Sequence, residues 1–321
     1  MHCNIFNSHK RTKPLIIATR SDTFDTLDFM ATARDFRFGV NLLGRGGAER
    51  FLAQVREAER CGVDVVLLPD HLELGAPFPM LVAAATAAPA VRVGTFVLNA
   101  GFYRPALLAR DIASTDQLTG GRFEIGLGAG YVKAEFDAAG IPFGTPGQRV
   151  QHLRETVLAL RKLLGRTDHE PRSLQTPPPI MIAGIGDKIL TLAAQHADIV
   201  ALAAVADDTV LAERVDFVRS KAGNRFGELE INLIIFDLAI DREPDLDTLR
   251  SHRPDATDAE LLALPNGLRG SQKDVVARIR ELRDRFGISY ITPIDPSDAD
   301  LKAYGRVISE LRGSQPVSLS L

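Results

Sequence analysis

The chain has 321 residues, of which 45% are hydrophobic and 25% charged, and its formal net charge is −3. This is the composition of a globular protein with a large core. The near-neutral charge argues against the basic surface of a protein that binds nucleic acid or an anionic membrane. We therefore expect a small-molecule partner.

The cysteines and the apolar stretches indicate the compartment. Cys3 and Cys61 are far apart in the sequence and form no CxxC motif, so neither a disulfide scaffold nor a metal site is indicated and a reducing cytoplasm is expected. The longest apolar stretch is broken by Pro89 and is too short for a membrane span of about 20 residues. Residues 1–33 lack the apolar region of a secretory signal, and we expect a disordered extension there, followed by one domain over residues 34–321.

From Phe36 onward, short β-branched segments alternate with amphipathic segments of helical length, which is typical of βα units. Eight strands within about 290 residues, without a GxGxxG motif after the first, favour an α/β fold of the closed (β/α)₈ TIM-barrel type. The spacing of apolar residues predicts the first helix over Ala48–Arg60. Residues 241–270 are polar, and we expect them to form a mobile excursion over one barrel end. The predicted strands are Phe36–Leu42, Val63–Leu68, Val91–Leu98, Phe123–Leu127, Ile180–Ala183, Ile199–Ala203, Ile231–Ile240 and Ile288–Pro293.

Two residues with acid–base side chains follow the second predicted strand. In such barrels, the residues just past the carboxyl ends of the strands form the active site, and Asp70 and His71 stand side by side at that place. Histidine side chains titrate near neutral pH, which suits proton transfer beside a redox cofactor. A loop in which Asp70 starts a short turn is an equally good interpretation.

The third predicted strand ends in residues that suit a planar ligand. Such a ligand needs an apolar wall on one face and hydrogen-bonding groups at its edge. Phe96 and Val97 could form the wall, and Asn99 could serve the edge. An ordinary core strand is the alternative.

Small residues follow the fourth and fifth predicted strands. After the fourth strand they let the backbone approach a ligand closely, although a tight bend uses the same residues. After the fifth strand, backbone amides and the start of a helix predicted over Lys188–Ala197 could hold a phosphate, unless the segment is a plain turn with Asp187 as the N-cap. The two segments are Gly128, Ala129, Gly130 and Tyr131, and Ala183, Gly184, Ile185 and Gly186.

Several longer segments carry a resemblance to a known family. They are Val91–Asn99, Arg104–Pro105, Leu108–Arg110, Leu118–Tyr131, Glu135–Phe136, Gly140–Phe143 and Arg149 with Leu153. In this order they resemble the bacterial luciferase-like flavin-dependent superfamily, and within it the F420-dependent oxidoreductases. The resemblance covers about residues 36–312.

The resemblance implies a barrel that binds coenzyme F420 and exchanges a hydride with an organic molecule. The position matching Phe96–Val97 carries a non-prolyl cis peptide, which forms a bulge behind the central ring of the cofactor. Asp70 and His71 match an Asp-His pair in the sugar-phosphate dehydrogenase branch, where the Asp contacts the cofactor and the His transfers a proton beside the deazaflavin C5. Ala183–Gly186 matches the segment that holds the cofactor phosphate, and Ala129–Gly130 matches the loop beside the ribityl chain.

One departure leaves the substrate open. Tyr131 stands where the sugar-phosphate dehydrogenases have a catalytic Glu, so that substrate class is not implied. An FMN-dependent monooxygenase that uses reduced flavin and oxygen is one alternative function. A non-catalytic flavin-binding protein is another. Since members of the family commonly dimerise through barrel helices, a homodimer is expected.

Overall fold

The described part of the chain folds as a closed barrel of parallel strands. The structure is a computed structural model, and it describes residues 34–203, 205–252 and 255–313. The disordered extension predicted over residues 1–33 lies outside the described residues. The strands are β1 (Arg37–Asn41), β2 (Val65–Leu68), β3 (Arg92–Thr95), β4 (Leu98–Asn99), β5 (Phe123–Gly128), β6 (Ile180–Gly184), β7 (Ile199–Leu202), β8 (Glu230–Ile235), β9 (Asp237–Ile240), β10 (Gly267–Gly270) and β11 (Ile288–Pro293).

The pairing of the strands closes the sheet and confirms the predicted TIM barrel. β1 pairs with β2 on one side, with Val40 opposite Val66, and with β11 on the other, with Phe38 opposite Ile291. The order then runs through β8, β7 and β6 to β5, which pairs with both β3 and β4. Because β3 and β4 occupy one position in succession, the barrel has eight strand positions.

Helices follow the barrel strands, as βα units require. The first helix has the predicted bounds, and Gly62 after it adopts a φ of +78°. The helices are α1 (Ala48–Arg60), α2 (Pro77–Ala87), α3 (Pro105–Leu118), α4 (Lys133–Ala138), α5 (Pro146–Leu164), α6 (Asp187–His196), α7 (Asp208–Ala222), α8 (Leu246–His252), α9 (Asp258–Leu262), α10 (Gln272–Phe286) and α11 (Asp298–Gly313), with 3₁₀ turns over Ala100–Phe102 and Gly223–Glu228.

The third predicted strand is interrupted, so the prediction of a continuous Val91–Leu98 strand is wrong. β3 ends at Thr95, and β4 begins at Leu98. Between them, the peptide bond from Phe96 to Val97 is cis.

The seventh predicted strand, Ile231–Ile240, is also divided. At Phe236 the backbone N–H donates to the carbonyl of Asn266 at 2.8 Å, and the chain leaves the barrel. β9 then pairs with β10 instead of a barrel strand, because Asn266 occupies that edge and donates through its side chain to the carbonyl of Ile234 at 2.7 Å. The excursion predicted over residues 241–270 thus contains α8, α9 and β10.

The main core lies between the strands and the helices. Outward-facing strand residues such as Val40, Val66 and Ile125 are fully buried under the helices. Alternate residues face into the barrel, where a smaller apolar cluster surrounds Phe96 and Tyr290. The barrel interior is therefore a packed second core, as expected for eight strands.

Four charged residues close the amino-terminal end of the barrel, and we call them the floor network. Arg37 of β1 binds Glu124 of β5 and, at 2.6 Å, Glu230 of β8. Arg92 of β3 binds Glu124 at 2.5 Å. Glu124 is only 2% exposed, so its charge depends on these partners.

Replacing Arg37 tests the floor network. Arg37→Met should lower the free energy of unfolding by about 3 kcal/mol, because two buried carboxylates lose a partner. The measurement is urea unfolding followed by circular dichroism. Arg312→Met is the matched control, since Arg312 pairs with Asp64 at the surface and should cost about 1 kcal/mol or less. Equal losses in the two variants would contradict the assigned role.

Candidate active site

The candidate site lies where β2, β4, β5 and β6 end. These strands are parallel. β3 continues into β4 and pairs with both β2 and β5, and β5 also pairs with β6. The segments that follow them therefore lie side by side at the carboxyl end of the barrel. The predicted site residues all lie at the last positions of these strands, in the bulge between β3 and β4, or in the segments that follow.

The bulge between β3 and β4 presses closely against β5. A Cβ atom on Gly126 would lie 2.9 Å from Val97 Cγ1, and one on Gly128 would lie 2.8 Å from Val97 Cγ2. Thr95 fixes the approach, since its hydroxyl donates to the Gly126 carbonyl at 2.9 Å and accepts from the Gly126 amide at 2.8 Å. Glycine at these two positions makes room for the bulge.

Phe96 points into the barrel and forms an apolar wall. The ring is 7% exposed and belongs to the inner cluster with Val65, Leu67, Met181, Ile199, Ala201 and Tyr290. Val97 and Ala183 pack against this cluster and are partly exposed. The ends of β3 and β6 thus share one apolar surface.

Asp70 is a buried acid that ties the β2 end to the β4 end. Its carboxylate accepts from the backbone N–H of Asn99 at 3.1 Å and from the phenol of Tyr103. Burial raises the pKa of the Asp70 carboxyl. Asp70 does not start the adjacent turn, which runs from His71 to Leu74 through a 3.0 Å backbone bond.

His71 is bonded to a different acid. Its Nδ1 lies 2.9 Å from Oε1 of Glu135, which comes from α4. The same oxygen accepts from the backbone N–H of Leu72 at 3.2 Å. Tyr131 is 78% exposed and stands edge-on to the imidazole, with the ring centroids 6.4 Å apart. Asp70 and His71 are neighbours in sequence but have separate partners.

Asn99 contacts three segments, namely the β2 end through its backbone and the turn at Gly101 and the loop at Gly130 through its side chain. We call this side chain the wedge. Its side-chain oxygen accepts from the Gly101 amide at 3.1 Å. Gly130, at a φ of +73°, lies so close that a Cβ atom would be 2.7 Å from the Asn99 Cγ. Arg149 holds the same loop by donating to the Gly130 carbonyl at 3.0 Å, and Ala129 packs against the main core.

The segment after β6 ends at the start of α6. Gly186 occupies the N-cap position, and within the part of the chain that the structure describes no side chain caps this helix. The prediction that Asp187 is the N-cap is wrong: Asp187 is the first helical residue, and its carboxylate binds Arg214 at 2.7 Å. A Cβ atom on Gly186 would meet open space, whereas a Cβ atom on Gly184 would lie 2.6 Å from Ile189 Cγ2.

The sequence did not assign roles to two residues of this site. Glu135 bonds His71, and Tyr103 bonds Asp70. Glu135 lies on α4 after β5, and Tyr103 follows the 3₁₀ turn after β4. Each is far in sequence from the β2 end that it contacts, so spacing alone could not have paired them. The place of Glu135 shortly after the β5 glycines was the one available signal.

Two arrangements needed by other functions do not occur in the described ranges. Residues 34–203, 205–252 and 255–313 contain no group of three or more His, Cys, Asp or Glu side chains placed to hold a metal ion. In the same ranges, no helix has the length and apolar character needed to cross a membrane.

The family of the chain follows from comparison with known proteins. The family model described as luciferase-like monooxygenase matches residues 35–245, and the chain belongs to this family. The match covers the barrel from β1 through β9 and includes every predicted site residue.

Two curated relatives and one solved structure are similar to this chain. The chain is 30% identical to the 5,10-methylenetetrahydromethanopterin reductase of Archaeoglobus fulgidus over 53% of this chain and 54% of that one. It is 31% identical to the oxygenase component of the flavin-dependent trigonelline monooxygenase of Acinetobacter baylyi, over 39% and 40% of the two chains. These matches thus span about half the length of the curated relatives or less. The structure of the coenzyme F420 dependent tetrahydromethanopterin reductase from Methanopyrus kandleri has the same fold, with a TM-score of 0.72 and 19% identity over 87% of this chain and 100% of that chain.

Gly130 provides a test of the wedge. Gly130→Ala and Gly140→Ala both place alanine at a positive φ, which costs about 1–2 kcal/mol. Only Gly130→Ala should also push Asn99 aside and lower the free energy of unfolding by about 2 kcal/mol more. Chemical denaturation of both variants measures the difference. A loss no greater than that of Gly140→Ala, which meets nothing within 4 Å, would contradict the wedge.

Proposed function

We propose that this protein is an F420-dependent oxidoreductase that exchanges a hydride with a small organic substrate at the mouth of the barrel. The observation that carries the proposal is the position of His71. Its imidazole is one-third exposed on the rim, with Nδ1 bonded to Glu135, and its neighbour Asp70 is bonded to Asn99 beside the bulge. These bonds support a site in which an acid–base group serves a planar ring that lies on the apolar wall.

The residues present fit a phosphorylated planar cofactor. Phe96 and Val97 would back one face of the ring, and Asp70 and Asn99 would supply polar groups near its edge. The start of α6 at Gly186 has no cap from a described side chain, and a Cβ atom on Gly186 would meet nothing within 4 Å, so its backbone amides would be available to a phosphate. When bound, F420 supplies hydride donation or acceptance at its C5 carbon.

The remaining predicted residues border this space. Gly128, Ala129, Gly130 and Tyr131 would line the side of the ribityl chain, and Ala183, Gly184 and Ile185 would lead to the phosphate. Reduction of a substrate by a hydride needs one proton at the neighbouring atom, and oxidation releases one. We assign that proton to His71.

An FMN-dependent monooxygenase is the second candidate. The relative from Acinetobacter baylyi is named as a flavin-dependent monooxygenase component, and Tyr131 replaces the acid of the sugar-phosphate dehydrogenases. The deazaflavin of F420 has no N5 and does not activate oxygen, so the two candidates differ in cofactor. A non-catalytic flavin-binding protein would not need the bonded imidazole at the rim, and we rank it third.

The setting of this activity is also a proposal. We infer a cytoplasmic homodimer acting on a small molecule, because the two cysteines form no recognisable motif and the resembling family commonly dimerises.

Separate titrations with F420 and FMN test the cofactor. We expect F420 to bind at least about tenfold more tightly, a difference of about 1.4 kcal/mol, as followed by fluorescence. Tighter binding of FMN would contradict the deazaflavin assignment and favour the monooxygenase. Binding of neither would contradict both.

Variants at Gly186 serve as the internal control for these titrations. Gly186→Asp places a carboxylate where we assign the phosphate and should weaken cofactor binding by about tenfold or more. Gly186→Asn caps the helix without charge and should weaken binding less. The affinities of riboflavin and of the phosphate-free deazaflavin core should not change in Gly186→Asp if the phosphate of the cofactor lies at Gly186.

Removing the imidazole tests the proton-transfer role. His71→Ala should slow turnover by about 10²-fold and leave cofactor affinity nearly unchanged, because general acid–base catalysis is lost while the apolar wall stays. A panel of small alcohols, aldehydes and cyclic imines is first screened for a substrate that the protein converts. Turnover of that substrate is then followed by the absorbance of F420. His196→Ala, at the far end of α6 from Gly186, is the control. Unaltered turnover in His71→Ala would remove the role.

A further inference from the structure

We propose that Glu135 is a positioning residue that keeps a proton on Nδ1 of His71 and so makes Nε2 the nitrogen that exchanges a proton. The inference rests on the proton-transfer role proposed for His71. It assigns a function to a short helix, α4, that the cofactor site does not otherwise use.

The hydrogen bonds at Glu135 decide which ring nitrogen carries the proton. The distance of 2.9 Å between His71 Nδ1 and Glu135 Oε1 is that of a hydrogen bond. Oε1 also receives the backbone N–H of Leu72, so this oxygen is an acceptor. A carboxylate oxygen that accepts at Nδ1 fixes the proton there, and the neutral imidazole then has its lone pair on Nε2.

The nearest acid in the sequence cannot do this. The Asp70 carboxylate is directed to the Asn99 amide and the Tyr103 phenol. It is also 9% exposed, whereas His71 reaches the rim. Two carboxylates within one site thus have different tasks, one holding the β4 end and the other holding the imidazole.

The rest of α4 fixes the place of Glu135. A six-residue helix is not stable by itself, so its position comes from packing. Phe136 is 1% exposed and packs against the rings of Phe102 and Phe143, with centroids 5.4 and 5.1 Å away. Gly101 lies under the same ring, where a Cβ atom would be 2.6 Å from Phe136 Cε1. The buried phenylalanine anchors the helix and directs the preceding glutamate to the rim.

Tyr131 limits the imidazole from another direction. Its ring stands at 83° to that of His71. Glu135 holds the ring through a hydrogen bond, and the exposed Tyr131 ring flanks it with centroids 6.4 Å apart. A fixed ring nitrogen is the requirement for proton transfer to a bound substrate.

The test measures the tautomer of His71 in the cofactor-free protein. Long-range ¹H–¹⁵N NMR of histidine-labelled protein distinguishes the two ring nitrogens, and the loss of cross-peaks in His71→Ala assigns this residue. At a pH where the ring is neutral, we expect His71 to be mainly the Nδ1–H form. In Glu135→Leu, which keeps the size but removes the acceptor, the population should shift to the Nε2–H form.

Three further variants make the result specific. Glu135→Gln should retain the Nδ1–H form, because its oxygen stays bonded to the Leu72 amide. Glu73→Ala removes an exposed carboxylate from the same loop and should change nothing. Glu135→Ala replaces the leucine variant if that one does not fold. An unchanged tautomer in Glu135→Leu or Glu135→Ala would overturn the inference.

Turnover separates this inference from the proposed function. With F420 loaded, Glu135→Leu should lower kcat by about tenfold at unchanged cofactor affinity, and Glu135→Gln should restore most of it. If the tautomer shifts as expected but His71→Ala turns over normally, the proton role of the proposed function fails while the positioning by Glu135 stands. If the tautomer shifts but kcat stays the same in Glu135→Leu, the catalytic part of the inference is wrong.

Discussion

The close approach of the β3–β4 bulge to β5 is the constraint on which the mouth of the barrel depends. Gly126 and Gly128 have no Cβ atoms. A Cβ atom on Gly126 would collide with the backbone oxygen of Thr95, and one on Gly128 would lie 2.8 Å from Val97 Cγ2, so the bulge can lie this close only to glycine. This approach directs Phe96 into the barrel and delivers Asn99 to the point where it meets the loops after β2 and β5. The apolar wall and the polar rim of the site are therefore consequences of one backbone contact.

The two ends of the barrel have different roles. At the amino-terminal end, the floor network pairs buried charges and ties four strands together, which stabilises the fold. At the carboxyl end, glycines, an uncapped helix start and a partly exposed histidine leave polar groups available. This division is general for TIM barrels and lets the loops change without loss of the fold.

The two acids at the mouth of the barrel, Asp70 and Glu135, differ in their burial and in their hydrogen-bond partners. Burial raises the pKa of Asp70, and its bonds to Asn99 and Tyr103 make it a structural link between loops. Glu135 stands nearer the rim and shares one oxygen between His71 and Leu72. The residue beside His71 in the chain thus supports the site, and a residue 64 positions away orients the imidazole.

The sequence by itself determined the barrel and the segments that form its mouth. Alternating apolar strands and amphipathic helices have local periods, so even the bounds of α1 could be read directly, and glycines and acid–base residues marked the strand ends. Only the tertiary structure decided the partners. The pairing of His71 with Glu135, the departure of the chain at Phe236 and the open N-cap at Gly186 depend on contacts between segments distant in sequence, which no local pattern encodes.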